Sequence, residues 1–262
     1  MQTALVFAAA LFSAAVLSTS AIGVMAKFKS PPFDEYPNAL LSAEGFDPHR
    51  PGVMVVYFHG HGGTLGDMID RQFIPQQVAD ANVNAVLVAP RLRKRATGRF
   101  SEQDFFTAFL DEAAERLATI TGGRASADVF RRMPVVIVFY SGGYLPARAL
   151  LQNGGGAVDR ILGIASFDGM YGDPSVFAQW IAEQKNKETP GFFVSIYAQT
   201  PAGNAKLKHV LDGARMPYRE RLGEHIRAGD TAIVDLGAQV SHRDMMSKAW
   251  TDGPLGDLLR RM

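Results

Sequence analysis

The chain of 262 residues contains no cysteine. This absence excludes disulfides, thiol nucleophiles, Fe–S clusters and thiolate zinc sites, so any nucleophile must be an oxygen or a nitrogen atom. The chain also lacks an excess of charge of either sign, because 27 Lys and Arg residues face 26 Asp and Glu residues. A formal net charge of +1 creates no general attraction for nucleic acid or for an anionic membrane surface. We therefore predict no nucleic-acid partner.

The first 26 residues carry no charged side chain and are largely apolar. Val24 and Ala26 stand three residues and one residue before a signal-peptidase cut that would follow Ala26. We predict an export signal or N-terminal anchor over residues 1–26 and one globular domain over 27–262. Cleavage would leave no stable membrane span and would place the domain in the periplasm or outside the cell. In the alternative, residues 4–26 stay as a membrane anchor, since about 20 apolar residues span a bilayer.

Six short runs are apolar and rich in β-branched residues, as expected of strands that are buried on both faces. They are Val53–Phe58, Ala85–Ala89, Val135–Tyr140, Ile161–Ser166, Phe192–Tyr197 and Ala232–Leu236. Helical patterns separate them, and the clearest runs from Ser101 to Thr119, where Ser101 and Asp104 form a capping-box pattern. The alternation predicts an α/β fold with a doubly wound, mostly parallel sheet of six or slightly more strands and helices on both faces.

In such sheets ligands bind beyond the carboxyl ends of the strands, so the segments that follow the strands carry the functional signals. Ser141 stands directly between the strand Val135–Tyr140 and a helical pattern, and is followed by Gly142 and Gly143. A serine on such a strand-to-helix elbow presents its hydroxyl above the sheet, near the positive end of the helix. The alternative is a serine that only caps the helix. We predict that Ser141 is a nucleophile.

A glycine-rich loop follows the first strand of the domain, with the sequence His59-Gly60-His61-Gly62-Gly63. Glycines leave backbone N–H groups free, which suits an oxyanion hole. The alternatives are a flexible turn or a metal site built on His59 and His61. The nearest following carboxylate is Asp67 and no other histidine lies close in sequence, so we predict no metal.

Two further residues at strand ends complete a catalytic pattern. His242 follows the last predicted strand, where a general base can reach back to Ser141. Asp168 follows the strand Ile161–Ser166, where a carboxylate can orient the histidine ring. Considered alone, His242 is also a plausible exposed loop residue and Asp168 a plausible turn residue. The order Ser, Asp, His along the chain is the order described for α/β-hydrolases.

From about Val53 to His242 the sequence therefore resembles the α/β-hydrolase superfamily, and within it the compact bacterial hydrolases of esterase or lipase type. The resemblance implies a hydrolase without a cofactor, in which Ser141 is the nucleophile, His242 the base and Asp168 the acid that orients it. It also implies that the N–H groups of Gly142 and His61 are the oxyanion donors, with Gly62 as the alternative to His61.

Two features depart from the pattern of the family. A small residue usually stands two positions before the nucleophile, where this chain has Phe139. The acid more often follows the next strand, Phe192–Tyr197, yet residues 198–201 contain no carboxylate. Asp168 stands one strand earlier, and Asp212 is the alternative acid.

The segments around the site bear on the substrate. About two dozen residues separate Asp168 from the next strand, too few for a cap domain, and an open mouth suits a short or a bulky ester. Tyr140, Tyr144 and Tyr171 flank the proposed catalytic residues and, together with Gly62, are candidate substrate-binding residues. Residues 91–99 carry five positive charges, which form either a solvated face or a contact for an anionic substrate.

These observations predict a serine hydrolase that cleaves a carboxylic ester, or an amide, through an acyl-enzyme. The partner would be a small-molecule or cell-envelope ester. The alternative is a hydrolase-like scaffold without catalytic activity that binds a cell-envelope ligand or a partner.

Overall fold

A computed structural model of the chain describes residues 18–20, 23–28, 39–42, 45–92 and 97–262. The strands, numbered along the chain, are β1 (Ser18–Ser20), β2 (Gly23–Phe28), β3 (Ala39–Ser42), β4 (Val53–Phe58), β5 (Ala85–Pro90), β6 (Val135–Tyr140), β7 (Ile161–Phe167), β8 (Phe192–Tyr197) and β9 (Thr231–Asp235). The six strands expected from the sequence are β4 to β9, with ends that differ by one residue at most. The apolar runs therefore located these strands correctly.

Helices separate most of the strands. They are α1 (Ile74–Asp80), α2 (Phe105–Ile120), α3 (Ala127–Arg131), α4 (Tyr144–Asn153), α5 (Ser175–Gln184), α6 (Pro201–Gly213) and α7 (Pro254–Arg260). Short helical turns occur at Asp67–Arg71, Gly98–Ser101, Ser141–Gly143, Gly155–Arg160 and His242–Asp244. Between β7 and β8 the chain forms a single helix, α5, so it has no cap domain there.

The strands form one sheet in the order β1-β2-β3-β5-β4-β6-β7-β8-β9. The six strands from β5 to β9 in that order are parallel. At the other end of the sheet β2 is antiparallel to both β1 and β3, and β3 is antiparallel to β5. The prediction of a mostly parallel, doubly wound sheet is confirmed. Because the carboxyl ends of parallel strands meet at one edge, the loops after β4, β6, β7 and β9 converge.

The sheet separates two layers of core. Along β4, Met54, Val56 and Phe58 face the layer that contains α2, while Val55 and Tyr57 face the layer that contains α1 and α7. This alternation follows from the two-residue period of a strand. All six residues of β4 are buried, which explains why the sequence is apolar without a break.

The start of α2 differs from the prediction. The capping box at Ser101 and Asp104 is wrong, because Ser101 ends a separate helical turn and α2 begins only at Phe105. Asp104 adopts a left-handed backbone with φ of +59° and its side chain makes no capping bond. Its N–H donates to the carbonyl of Asn153 instead, at 2.9 Å. A tertiary contact thus decides where this helix starts.

The predicted export signal lies mostly outside the described residues. Of residues 1–26, only those in β1 and the first part of β2 are described, and both strands belong to the sheet. Among the residues that the structure describes, no helix has the length and apolar character to cross a membrane. Export, and the boundary between 1–26 and 27–262, stay predictions.

Candidate active site

Ser141 lies on a sharp turn between β6 and α4. Its φ of +52° is a left-handed conformation, which is rare for a residue with a side chain and is typical of functional turns. Ser141 does not occupy an N-cap position, because Gly143 is the N-cap of α4 and Tyr140 is the N-cap of the short turn before it. The Ser141 hydroxyl is instead 2.8 Å from His242. The helix-cap alternative is therefore wrong.

The elbow packs so closely against the loop after β4 that it requires glycine. A Cβ atom on Gly143 would lie 2.3 Å from the carbonyl oxygen of Phe58, and one on Gly142 would lie 2.9 Å from the backbone nitrogen of His61. Backbone atoms cannot yield to such a contact. The two glycines thus bring the N–H groups of the elbow and of the glycine-rich loop together.

The bulky Phe139 is accommodated by a glycine opposite to it. A Cβ atom on Gly169 would lie 2.7 Å from the Phe139 ring, so a larger residue at position 169 would displace the ring. The ring also packs against Phe177, with their centroids 5.4 Å apart. A bulky residue at position 139 is therefore compatible with the elbow, because Gly169, in the segment after β7, leaves room for the ring.

Two hydrogen bonds connect Ser141, His242 and Asp168 in a line. The Ser141 hydroxyl lies 2.8 Å from His242 Nε2, and His242 Nδ1 lies 2.6 Å from Asp168 Oδ2. A carboxylate only accepts, so Nδ1 carries the proton and Nε2 is left to accept the serine proton. This is the arrangement in which a histidine can act as a base toward the serine.

Asp168 is fully buried and is held by the loop after β8. Its Oδ1 accepts hydrogen bonds from the N–H groups of Ala198 and Gln199, at 3.1 and 2.8 Å, and from the Thr200 hydroxyl at 3.0 Å. These contacts are not those of a local turn. Burial alone would raise the pKa of Asp168, but hydrogen bonds from His242 and from these N–H groups outweigh it and lower the pKa.

The loop after β9 presents His242 with support from Tyr140. Their rings stack with centroids 4.9 Å apart, and the Tyr140 hydroxyl donates to the His242 carbonyl at 2.9 Å. Ser241 opens the short turn by accepting a hydrogen bond from the Asp244 N–H. Burial raises the pKa of Tyr140 to about 12, so its hydroxyl remains a donor at neutral pH. Tyr140 was predicted as a substrate-binding residue, and its contacts with His242 were not apparent from the sequence.

The other two predicted tyrosines differ in exposure. Tyr144 is buried and its hydroxyl donates to the Asp173 carbonyl at 2.5 Å. Tyr171 is 43% exposed. Burial of part of this ring raises the pKa of Tyr171, and a hydrogen bond with the Ser141 hydroxyl opposes that rise. Tyr171 is thus the one of these two that lies beside the serine.

His59 holds the glycine-rich loop in place. The imidazole is buried, its Nδ1 lies 2.7 Å from the Gly60 carbonyl, and its Nε2 accepts from the Leu92 N–H at 2.7 Å. Nδ1 therefore carries the single proton of a neutral ring. Both nitrogens are occupied, so the alternative of a metal ligand at His59 is wrong. Gly62 turns the loop with a φ of +70°.

The neutral state of His59 predicts a pH-dependent stability. Burial lowers the pKa of His59 below the ordinary value of 6.5. The unfolded chain therefore binds this proton more readily, and the stabilisation is complete above about pH 6.5 and is lost as the pH falls through the lowered pKa. We expect the urea midpoint to fall between about pH 7 and pH 5, and to fall less in a His59→Gln variant.

The matched control for that experiment is His225→Gln, since His225 is exposed. We expect this variant to keep the pH dependence of the parent protein. An equal pH dependence in the His59→Gln variant would contradict the assigned role of His59.

A cavity of about 210 Å³ opens beside Ser141. It is lined by His59, Gly60, His61, Gly63, Asp67, Arg71, Gln72, Tyr140, Ser141 and His242. Arg71 and Gln72 were not predicted as site residues, and Asp67 was considered only as a metal ligand. These residues could have been predicted from the spacing of Asp67 and Arg71, since opposite charges four residues apart can pair on a helix and this pair follows shortly after the glycine-rich loop.

The basic run of residues 91–99 is only partly described, because residues 93–96 lie outside the described part of the chain. Arg99 forms an ion pair with Glu102 at 3.1 Å, and its guanidinium lies 4.6 Å from the centre of the Phe105 ring. Arg99 is thus engaged within its own turn. A role of residues 93–95 in binding an anionic substrate stays a prediction.

Solved structures share this architecture. An S-formylglutathione hydrolase from Agrobacterium tumefaciens matches with a TM-score of 0.57 and 12% identity, over 95% of this chain and 99% of that one. Fluorophosphonate-binding serine hydrolase F from Staphylococcus aureus matches with a TM-score of 0.51 and 11% identity, over 86% and 97%. A ferulic acid esterase matches with a TM-score of 0.51 and 11% identity, over 90% and 98%.

These likenesses, together with the parallel sheet and the elbow, show that the chain has the α/β-hydrolase fold. By name, these three structures are two hydrolases, one of them a serine hydrolase, and one esterase. No protein-family model matches the chain, and no curated protein matches it.

Proposed function

We propose that the protein is a serine hydrolase that cleaves a carboxylic ester through an acyl-enzyme. The observation that carries the proposal is the pair of hydrogen bonds from Ser141 through His242 to Asp168. The reaction needs no cofactor, because the serine is the nucleophile and water is the final acceptor. The same residues would serve for an amide.

In the proposed reaction Ser141 Oγ attacks the ester carbonyl carbon and its proton passes to His242 Nε2. The N–H groups of Gly142 and His61 donate to the oxyanion. The carbonyl re-forms as the ester C–O bond breaks, and His242 gives its proton to the leaving alcohol. Water then attacks the acyl-enzyme, His242 takes one of its protons, and the carboxylic acid leaves as Ser141 regains a proton.

The buried carboxylate of Asp168 supports this assignment. As His242 gains a proton in the reaction, it becomes a cation next to a carboxylate whose pKa is lowered. The carboxylate stabilises the cation and keeps the ring in the orientation that faces Ser141. The resemblance in fold to serine hydrolases is consistent with this chemistry.

We also propose that residues 1–26 direct export of the protein, on the basis of the sequence of these residues alone.

The proposed hydrolase activity is tested by labelling the full-length protein with a fluorophosphonate probe and measuring its intact mass. We expect one probe per chain, on the peptide that contains Ser141, and no label on a folded Ser141→Ala variant. A folded parent protein that hydrolyses no ester in a panel of short and long acyl chains and takes up no probe would favour the non-catalytic scaffold instead.

A further inference from the structure

Most of the side chains that line the cavity beside Ser141 carry polar groups. Apart from the proposed catalytic residues, its side chains come from His59, His61, Asp67, Arg71, Gln72 and Tyr140. No aliphatic side chain is among the lining residues. At about 210 Å³ it is smaller than the roughly 300–1,000 Å³ of most ligand sites. An apolar acyl chain would gain little from such a wall, whereas a short polar group would fit it.

Arg71 supplies the positive charge of this wall. Its Nε donates to Asp67 Oδ1 at 3.1 Å, and its Nη1 donates to the Arg243 carbonyl at 3.2 Å. A guanidinium has five N–H donors, so these two bonds leave donors unused. Within the described part of the chain, Nη2 of Arg71 has no hydrogen-bond acceptor, and 29% of the side chain is exposed. Arg71 can therefore donate to a group in the cavity.

Asp67, which also lines the cavity, holds Arg71 through an ion pair. Its Oδ2 accepts from both the N–H and the hydroxyl of Thr64, at 3.0 and 2.8 Å. The hydrogen bond from the Thr64 side chain lowers the pKa of Asp67, and Arg71 adds to this effect. The carboxylate is thus committed to its own turn and to Arg71.

The wall is also rigidly attached to the loop that carries His242. Buried Gln77 donates from its Nε2 to the carbonyls of Gln72 and Met246, at 2.7 and 2.6 Å. Its Oε1 accepts from the N–H of Leu255 at 2.7 Å. These bonds and the Arg71 contact with Arg243 fix the guanidinium relative to the proposed base, so a substrate held by Arg71 would have a defined position at Ser141.

Two further arginines add positive charge around the cavity. Arg91 lies close enough to help lower the pKa of His59, whose shift is mainly due to burial. Arg243, like Arg71, opposes the burial that raises the pKa of Tyr140. The carboxylate of Asp168 is committed to His242. Arg71, Arg91 and Arg243 thus place positive charge near the cavity, and the carboxylate of Asp67 offsets part of it.

We propose that Arg71 binds a free carboxylate on the substrate, so that the preferred substrate is a small ester that carries a second, ionised carboxyl group. The planar guanidinium edge matches a carboxylate, and charge-assisted bonds of this kind are the strong ones. The inference rests on the proposed function, since it names the substrate class of the same site.

The test compares esters that differ in charge and are matched in size. Monoethyl succinate against ethyl butyrate places the carboxylate on the acyl part, and acetoxyacetate against ethyl acetate places it on the alcohol part. Hydrolysis is followed by proton release. For the pair that the site prefers, we expect Arg71→Gln to lower kcat/KM for the anionic ester by about 10- to 100-fold, with less than about a threefold effect on the neutral ester.

Two other variants serve as controls. Arg71→Lys keeps the charge and should retain part of the preference, whereas Arg221→Gln removes an exposed charge outside the cavity lining and should retain all of it. Equal losses on anionic and neutral esters in Arg71→Gln would overturn the proposal, because Arg71 would then act only through the His242 loop. A parent protein without preference for either anionic ester would overturn it as well.

Binding measured without turnover separates this inference from the proposed function. In a Ser141→Ala background, monoethyl succinate and acetoxyacetate are titrated against the protein by NMR, with and without Arg71→Gln. We expect weaker binding of the anionic ester in the double variant. If the protein neither takes up the probe nor hydrolyses an ester, but this difference in binding is present, the proposed function fails while the carboxylate site stands. Unchanged binding of both esters would reject the site, whatever the activity.

Discussion

Replacement of Ser141 by alanine is expected to reduce kcat/KM for any ester that the protein hydrolyses by a factor on the order of 10⁴ or more. Without Oγ no acyl-enzyme can form, and only the oxyanion donors and substrate binding remain. The φ of +52° is as unfavourable for alanine as for serine, so the variant should fold like the parent protein. The measurement is the steady-state rate beside the urea midpoint.

A double variant and a matched serine sharpen this prediction. Because the serine and the histidine act as one unit, Ser141→Ala with His242→Ala should be no slower than Ser141→Ala alone. Ser166 is a buried serine of β7 whose hydroxyl has no hydrogen-bond partner among the residues that the structure describes, so Ser166→Ala should keep the parent rate. If a Ser141→Ala variant keeps a tenth of the parent rate, Ser141 is not the nucleophile.

Asp168→Asn is expected to lower kcat by a factor on the order of 10⁴. The three donors that point at Oδ1, from Ala198, Gln199 and Thr200, require an acceptor there, so the asparagine must place its carbonyl oxygen at that position. Its NH₂ group then faces His242 Nδ1, which must accept. The ring proton moves to Nε2, and the nitrogen that should take the serine proton no longer can.

The control for this prediction is Asp212→Asn, which tests the alternative acid. Asp212 lies in α6, and its nearest polar contact is the Tyr218 hydroxyl at 3.4 Å. We expect the parent kcat within about a factor of two, as for a surface substitution. A large loss in Asp212→Asn together with normal kcat in Asp168→Asn would transfer the role of the acid to Asp212.

The position of the acid shows how a departure from a family pattern is resolved in three dimensions. The loop after β8 has no carboxylate, yet it supplies the N–H groups of Ala198 and Gln199 and the Thr200 hydroxyl. Parallel strands β7 and β8 are neighbours, so their carboxyl ends lie side by side and this loop can bind an acid from the adjacent strand. The sequence showed which residues were present but not that these groups converge on one oxygen.

Strands and site residues were predictable for the same reason. Strands β4 to β9 are buried on both faces and must be apolar throughout, which makes them visible as unbroken runs. Since ligand sites lie beyond the carboxyl ends of such strands, Ser141, Asp168 and His242 could be found by inspecting the next few residues. The antiparallel strands β1 to β3 were not predicted, because residues 1–26 were assigned to an export signal or anchor and residues 39–42 form only a short run.

Local patterns therefore determined the class of fold, the order of the six parallel strands along the chain and the three residues now joined by hydrogen bonds. Tertiary structure alone decided the contacts between segments far apart in sequence: the start of α2 at Phe105, the support of His242 by Tyr140, and the place of Arg71 in the cavity wall. The physical reason is that a sequence pattern reports burial and backbone preference residue by residue. Which donor meets which acceptor depends on packing across the sheet.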